Sequence, residues 1–321
     1  MTTLVTGAQG CIGAWVVRNL LDSDDRPVVF DLSKDARRLR LVATDAEVAR
    51  VAFVAGDVTD AAAVRRAIES SGAERVIHLA GLQVPACKAD PIRGAQVNVA
   101  GTIAVFEAAK AAGIGRVVYA SSAAVFGPPE DYPEGPAPDS AATGPRTLYG
   151  VYKVANELSA RVYFESDGVS SVGLRPWAVY GPGRDFGMTS APTLAIQAAV
   201  LGVPYRIPYG GMNDLQFVDD VAKAFVASSR TSAPGARVYN LRGDVVAIDS
   251  VIAAIEAAVP SARGRLTRGD AQLAIAFDLD DGAFRRDVAG VPRTPLAEGV
   301  RRTVAIFERL AAEGRLPALP A

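Results

Sequence analysis

Two stretches of this 321-residue chain carry residue types at spacings that can do chemistry. Thr6-Gly7-Ala8-Gln9-Gly10-Cys11-Ile12-Gly13 stands between a short apolar run and an amphipathic stretch. Gly7 and Gly10 permit a tight turn and close approach of backbone to a pyrophosphate, and Gly13 lets the next helix pack near the strand. The helix start adds free N–H groups and the positive end of its dipole. The following apolar run ends in Asp31. A carboxylate there accepts hydrogen bonds from adenosine ribose hydroxyls and repels a 2′-phosphate, so the pattern points to NAD over NADP. Arg37 and Arg38 are the competing signal for a 2′-phosphate, but their polar setting reads as a solvated helix face. In the second stretch, Tyr149-Gly-Val-Tyr-Lys153, four-residue spacing at the start of an amphipathic helix puts Tyr149 and Lys153 on one face, a turn apart. Ser121-Ser122 closes the fifth apolar run, so both elements finish at the carboxyl edge, where open α/β sheets bind ligands. Tyr152 reads as packing.

What is scarce narrows the chemistry further. His78 is the single histidine, and Cys11 and Cys87 are the two cysteines. A Ser-His-Asp hydrolase would have to use His78, a His/Cys metal site lacks ligands, and a disulfide framework is out of reach. No metal is expected. The two thiols fit a reducing compartment. Lysine and arginine number 34 against 35 acids, a formal charge of −1, which gives no electrostatic reason for a nucleic-acid partner. The start has no basic region followed by an apolar one, and the most apolar window, Ala191 to Tyr205, is interrupted by Pro192, Thr193, Gln197, Gly202 and Pro204. The expectation is a soluble, cytoplasmic protein with no membrane partner.

These residues need a scaffold, and the first 170 positions supply one. Apolar β-branched runs at Leu4–Val5, Val28–Phe30, Val51–Val54, Val76–Leu79, Val117–Tyr119 and Ser171–Leu174 alternate with helical patterns at Ile12–Leu21, Ala61–Ser70, Gly94–Ala112 and Leu148–Glu165. That alternation is the signature of an α/β protein with a parallel sheet covered on both faces. Past Arg175, proline and glycine cluster between shorter helices at Val218–Ser229, Ile248–Val259 and Pro295–Glu313. The pattern predicts a Rossmann-type doubly wound parallel sheet with a smaller, irregular C-terminal substrate lobe. Residues 1–175, with about 215–242 returning to them, would form the NAD-binding domain; about 176–214 and 243–321 would form the lobe. The proline-rich stretch from Phe126 to Thr147 reads as a long functional loop.

The chain resembles the extended short-chain dehydrogenase/reductase superfamily, in its NAD-dependent epimerase/dehydratase family, over nearly its whole length. The matching pieces run in family order: Thr6–Gly13, Asp31, Gly56-Asp57-Val58, His78-Leu-Ala-Gly81, Asn98 with Gly101-Thr102, Ser121-Ser-Ala-Ala-Val-Phe-Gly127, Tyr149–Lys153, Leu174–Gly183 and Val218–Ala222. By resemblance the cofactor is NAD, held by Gly7, Gly10, Cys11, Ile12, Gly13, Asp31, Leu32, Asp57, Val58, Leu79, Ala80, Gly81, Asn98, Tyr149, Lys153 and Pro176. Ser122, Tyr149 and Lys153 would be catalytic. A tyrosine, with an ordinary pKa near 10, is too weak a base at neutral pH unless positive charge lowers it. Lys153 and the nicotinamide cation would do so, and ~2–3 units correspond to about 3–4 kcal/mol. Tyr149 would then take a hydroxyl proton as hydride leaves the same carbon, Ser122 would hold the reacting oxygen, and Lys153 the nicotinamide ribose. Gln83, Ser122, Ala178, Arg184 and Thr189 are the expected substrate contacts. Relatives often dimerise through the helix bearing the tyrosine, which makes a homodimer the expected assembly. His78 would pack and position rather than transfer protons.

Departures from the family pattern narrow the substrate. Dehydratases and sugar decarboxylases carry acidic side chains where this chain has Ala123 and Ala124, which disfavours elimination and decarboxylation. UDP-sugar epimerases usually have asparagine at the Ala178 position and arginine where Asn213 precedes Asp214. Arg184, Arg206, Arg265 or Arg268 would have to compensate for the lost phosphate partner. Thr189 and Ser190 offer hydroxyls to a polyol or cap a helix. The leading expectation is an epimerase or dehydrogenase acting on a secondary alcohol of a sugar or sugar-derived small molecule, and not on a standard UDP-hexose. A steroid- or flavonoid-type alcohol dehydrogenase, with Phe126, Trp177 and Phe186 lining an apolar pocket, and a non-catalytic dinucleotide-binding sensor are the alternatives.

Overall fold

β-Branched residues fit a pleated surface buried on both sides, and the apolar runs of the first half fold accordingly. In the computed structural model, which describes residues 1–320, the strands are β1 (Thr2–Thr6), β2 (Arg26–Asp31), β3 (Ala52–Ala55), β4 (Arg75–His78), β5 (Arg116–Ala120), β6 (Ser170–Arg175), β7 (Ala178–Tyr180), β8 (Tyr205–Ile207), β9 (Met212–Phe217), β10 (Ala236–Asn240), β11 (Asp244–Ala247) and β12 (Leu266–Arg268). Seven of them form one sheet in the order β10-β6-β5-β4-β1-β2-β3, with every neighbouring pair parallel. The chain leaves β1 toward β2 and β3 on one side and returns to β4 on the other. That reversal opens a crevice beyond the carboxyl ends of β1 and β4, the place where doubly wound sheets bind ligands.

Successive side chains of a strand point to opposite faces, and the core divides that way. Val5, Val29, Ile77 and Val118 join one apolar cluster with the helices Cys11–Asp22 and Val218–Ser228. Leu4, Val28, Val76 and Val117 join the other with Ala61–Ser71, Gly101–Ala111 and Leu148–Asp167. The rest of the chain builds a three-stranded sheet, β11-β9-β7, and a two-stranded one, β12-β8, with the helices Ala191–Leu201, Ile248–Ala258 and Leu296–Ala312 packed on the first cluster. The boundary expected near residue 215 falls inside β9, which belongs to the three-stranded sheet.

One element differs from the sequence expectation. The pattern at Gly94–Ala112 is not one helix: a short helix, Pro91–Ala95, passes through a π turn at Gln96–Ala100 into Gly101–Ala111. Within that turn the Asn98 side chain donates to the Gly94 carbonyl at 3.0 Å, taking an acceptor that a regular helix gives to a backbone amide. The interrupted window at Ala191 holds an 11-residue helix, Ala191–Leu201, that starts after Ser190, whose hydroxyl makes no capping bond. Pro192 lies in its first turn, where a missing N–H goes unnoticed, and Gly202 ends it in the left-handed conformation.

Candidate active site

The crevice is a cleft of about 720 Å³. At its inner end the turn after β1 brings Gly7 into a left-handed conformation, φ +67°, with a built Cβ only 2.4 Å from the Ala80 amide nitrogen. Any side chain would be strained and would push the turn off the end of β4. Gly10 precedes the Cys11–Asp22 helix and opens its N-terminus to the cleft. The Asp31 carboxylate at the end of β2 accepts from the Gln9 and Leu32 amides at 2.9 and 2.8 Å. Beyond it, burial works against ionisation of Asp57, but the Thr59 amide and Arg93 hold its carboxyl below the usual range. This is a fixed cradle with N–H groups at one point and carboxylates beyond. It fits a dinucleotide whose diphosphate meets a helix start and whose ribose hydroxyls donate to a carboxylate.

At the other end, the Leu148–Asp167 helix begins with Thr147, whose hydroxyl accepts from the Gly150 amide at 3.1 Å. A Cβ on Gly150 would stand 2.2 Å from the Ala124 carbonyl oxygen, so only glycine lets this helix press against the turn that follows β5. That approach brings Tyr149 and Ser122 to one wall of the cleft, where the Ser122 hydroxyl accepts from the Ala124 amide at 3.1 Å and acts to lower the pKa of the phenol. Lys153 is buried, donates to the Ala120 carbonyl at 2.7 Å, and sits 5.5 Å from the centre of the Tyr149 ring. Burial lowers its pKa to about 8.

The protonation of Tyr149 differs from the sequence expectation. Burial raises its pKa, opposed by the Ser122 hydrogen bond and by the charge of Arg184. The Lys153 ammonium is directed to a backbone carbonyl instead of the phenol. A cationic nicotinamide ring beside the phenol would act against burial.

His78 closes the end of β4 inside the protein, with Nδ1 2.6 Å from the Thr6 hydroxyl and Nε2 3.0 Å from that of Thr102. Burial, and secondarily Lys153, depress its pKa to about 3, so it is neutral at working pH and joins β1, β4 and the Gly101–Ala111 helix. Cys11 is a half-buried residue that lines the cleft, and burial pushes its thiol up to about 12, which disfavours the thiolate.

Most of the residues expected from sequence meet on this cleft. Gly7, Gly10, Cys11, Ile12, Gly13, Asp31, Leu32, Asp57, Val58, Leu79, Ala80, Gly81, Pro176, Gln83, Ser122, Tyr149, Lys153, Arg184 and Thr189 all line it. Asn98 and Ala178 do not. Asn98 is fully buried behind the wall, where its amide donates to the Leu82 and Gly94 carbonyls and a Cβ on Gly81 would meet its Oδ1. Ala178 is buried within β7. Of the aromatic residues that would line an apolar pocket, Trp177 reaches the cleft. Phe126 is buried under the Arg175 guanidinium, and Phe186 is 57% exposed outside the cleft.

Arg38 is the residue sequence reasoning placed wrongly. It is not on a solvated helix face: it lines the cleft, donates to the Gln9 carbonyl at 2.9 Å, and grips Asp185 through Nε and Nη2. The Trp15 indole donates to the Pro182 carbonyl at 2.9 Å beside it. The segment around Asp185 is thereby tied to the glycine turn from a distance in sequence that no spacing rule reports. Arg93, which holds Asp57 at 2.6 Å, was also missed, as were Gln9 and Met188 on the cleft wall.

A glycine turn at the reversal point of a doubly wound sheet, with serine, tyrosine and lysine meeting at the adjoining strand end, defines a short-chain dehydrogenase/reductase of the extended type. The model of the NAD dependent epimerase/dehydratase family matches residues 3–241, and the chain belongs to that family. A curated relative, UDP-glucose 4-epimerase of Mycolicibacterium smegmatis, is 31% identical over 96% of this chain and 98% of its own length. The crystal structure of UDP-glucose 4-epimerase from Thermus thermophilus in complex with NAD superposes with a TM-score of 0.80 at 27% identity, covering 96% of this chain and 99% of that one. A monomeric L-threonine 3-dehydrogenase from a metagenome shares the fold, with a TM-score of 0.84 at 22% identity over 96% and 99% of the two chains. The protein is an NAD-dependent enzyme of this family. No helix among the described residues is long and apolar enough to cross a membrane.

Proposed function

We propose that this enzyme oxidises, or oxidises and re-reduces, a secondary alcohol of a sugar-derived small molecule other than a standard UDP-hexose. The observation that carries the reading is the meeting of Ser122, Tyr149 and Lys153 at one end of the dinucleotide cleft. NAD bound in the cradle supplies a hydride acceptor. Gly7, Gly10 and the Cys11–Asp22 helix start would hold its diphosphate and Asp31 its adenosine ribose. Tyr149 would accept the hydroxyl proton as the carbon–hydrogen electron pair departs, and Ser122 would steady the oxygen as it becomes a carbonyl. Lys153, cationic below about pH 8, would favour the phenolate. The reading against a UDP-hexose rests on Asn213 and Ala178, both buried, where relatives use polar or cationic contacts.

Incubating purified enzyme with NAD and a panel of aldonates, uronates, polyols and UDP-sugars tests this. Steady NADH formation with a sugar acid or polyol is the expected result for a dehydrogenase, and stereoisomer formation without net NADH for an epimerase. Turnover of UDP-glucose or UDP-galactose above all other substrates would overturn the substrate class.

The same reading includes a homodimer. Ile92, Ile103, Leu148, Val151, Leu158 and Val162 are exposed apolar residues on neighbouring helices, with Leu158 and Val162 50% and 55% exposed. A face of this kind on a soluble protein marks an interaction surface. Sedimentation velocity should give twice the chain mass for the wild type and a single chain for Leu158→Asp/Val162→Asp. A monomeric wild type would reject the dimer.

A further inference from the structure

Five cationic side chains line the cleft: Arg37, Arg38, Arg93, Lys153 and Arg184. Three are paired with carboxylates of the protein. Arg37 pairs with Asp35 at 3.0 Å, Arg38 grips Asp185, and Arg93 holds Asp57. Lys153 donates to the Ala120 carbonyl. Arg184 is the one arginine of the set without a carboxylate partner among the described residues: its Nη2 donates to the Thr189 hydroxyl at 3.0 Å. Its Nε is buried without an acceptor. The acids on the cleft wall, Asp31, Asp35 and Asp57, all stand at the adenosine end. The wall at the end that holds Tyr149 and Ser122 carries Lys153 and Arg184 and no carboxylate.

We propose that Arg184, with Thr189 and Gln83 beside it, is the subsite for a substrate carboxylate, so that the substrate is a hydroxy acid of the aldonate or uronate type. This rests on the oxidoreductase reading above and names its substrate class. A partly buried guanidinium without a counter-charge is costly, and a carboxylate matches its fork with two parallel hydrogen bonds. Gln83 converges on the same point: a Cβ on Gly187 would meet Gln83 Oε1 and, at 3.3 Å, Arg184 Nη2. The charge of Arg184 reaches both the Tyr149 phenol and the Cys11 thiol, so it acts between the glycine turn and the Tyr149 end of the cleft. A sugar-nucleotide diphosphate fits this inventory poorly. It brings two charges at a distance from the reacting carbon, whereas Asn213 is buried and Arg268 lies outside the cleft, tied to Asp249 and Asp270.

Binding to the enzyme–NADH complex, followed by calorimetry, tests the assignment with matched pairs: D-gluconate against D-sorbitol, D-glucuronate against D-glucose, and UDP-glucose as the third arm. At least one acid should bind the wild type about tenfold or more tighter than its neutral partner, roughly the worth of one charge-assisted pair. Arg184→Met should bring that ratio to within about threefold, and Arg184→Lys should restore part of it. NADH affinity and melting temperature, read on the same samples, should stay near wild type in both. Equal binding of acids and neutral partners by the wild type, or an acid preference that survives Arg184→Met, would overturn the site. Acid-selective binding that depends on Arg184 but yields neither NADH nor epimer would leave the carboxylate site standing and reject the oxidoreductase reading. Turnover of UDP-glucose that ignores Arg184 would do the reverse.

Discussion

Tyr149→Phe is expected to lower kcat by about 10²–10⁴-fold on whichever substrate the wild type turns over, the range of a lost general base. That is about 3–5 kcal/mol of barrier. The substitution deletes one oxygen and leaves the ring in place against Lys153. Ser122 keeps the Ala124 amide as a partner, so no buried hydroxyl is left stranded. NAD affinity and melting temperature should therefore stay close to wild type, and the loss should fall on kcat. The pH profile supplies an independent check. Wild-type kcat/KM should rise with pH, because burial raises Tyr149 and only the deprotonated phenol can accept the substrate proton. Tyr149→Phe should abolish that rise along with the rate. A variant within tenfold of wild type would remove Tyr149 from the catalytic role.

The second large effect lies one helical turn below the site. Glu157 follows Lys153 by four residues on the same helix, and its carboxylate receives Arg175 through Nε and Nη2 at 2.8 and 2.7 Å. The Ser121 hydroxyl donates to the same carboxylate at 2.5 Å. Both members of the ion pair are buried, at 5% and 9% exposure, and Arg175 also donates to the Asp139 carbonyl while lying over the Phe126 ring. Glu157→Leu strands the guanidinium and the Ser121 hydroxyl, which should cost roughly 3–5 kcal/mol. Against a typical total of about 5–15 kcal/mol, that is a severe loss. Urea unfolding reads it as a lower midpoint at an unchanged slope. Glu157→Leu/Arg175→Met removes both charges and should regain about half or more of the loss, because buried pairs can be replaced by apolar groups at little penalty. A single variant within about 1 kcal/mol of wild type would show that the pair holds nothing together.

That network explains why part of the site was not legible along the chain. Tyr149, Lys153 and Ser122 were readable because helical spacing and a strand end confine each of them locally. Asp31 and the glycine turn were readable because βα geometry repeats. Arg38 was misplaced, since its partner Asp185 lies 147 positions away and belongs to a segment whose path depends on packing against Trp15. Asn98 has the right type and neighbourhood for a groove residue, yet a π turn rotates it behind the wall to hold the Leu82 and Gly94 carbonyls.

The lone histidine divides along the same line. Its being the only one excluded triads and metal sites from composition alone. Its burial between two threonine hydroxyls, which keeps it neutral and structural, depends on a strand and a helix brought to it across 72 and 24 residues. The sequence by itself determined the parallel α/β frame, the dinucleotide turn and the tyrosine–lysine pair, because period, capping and turn chemistry act over a few residues. Only the tertiary structure decided which charges are already neutralised. Pairing of ions depends on through-space distance and burial, and those alone separate Arg184 and Lys153, which have no carboxylate partner among the described residues, from Arg37, Arg38 and Arg93.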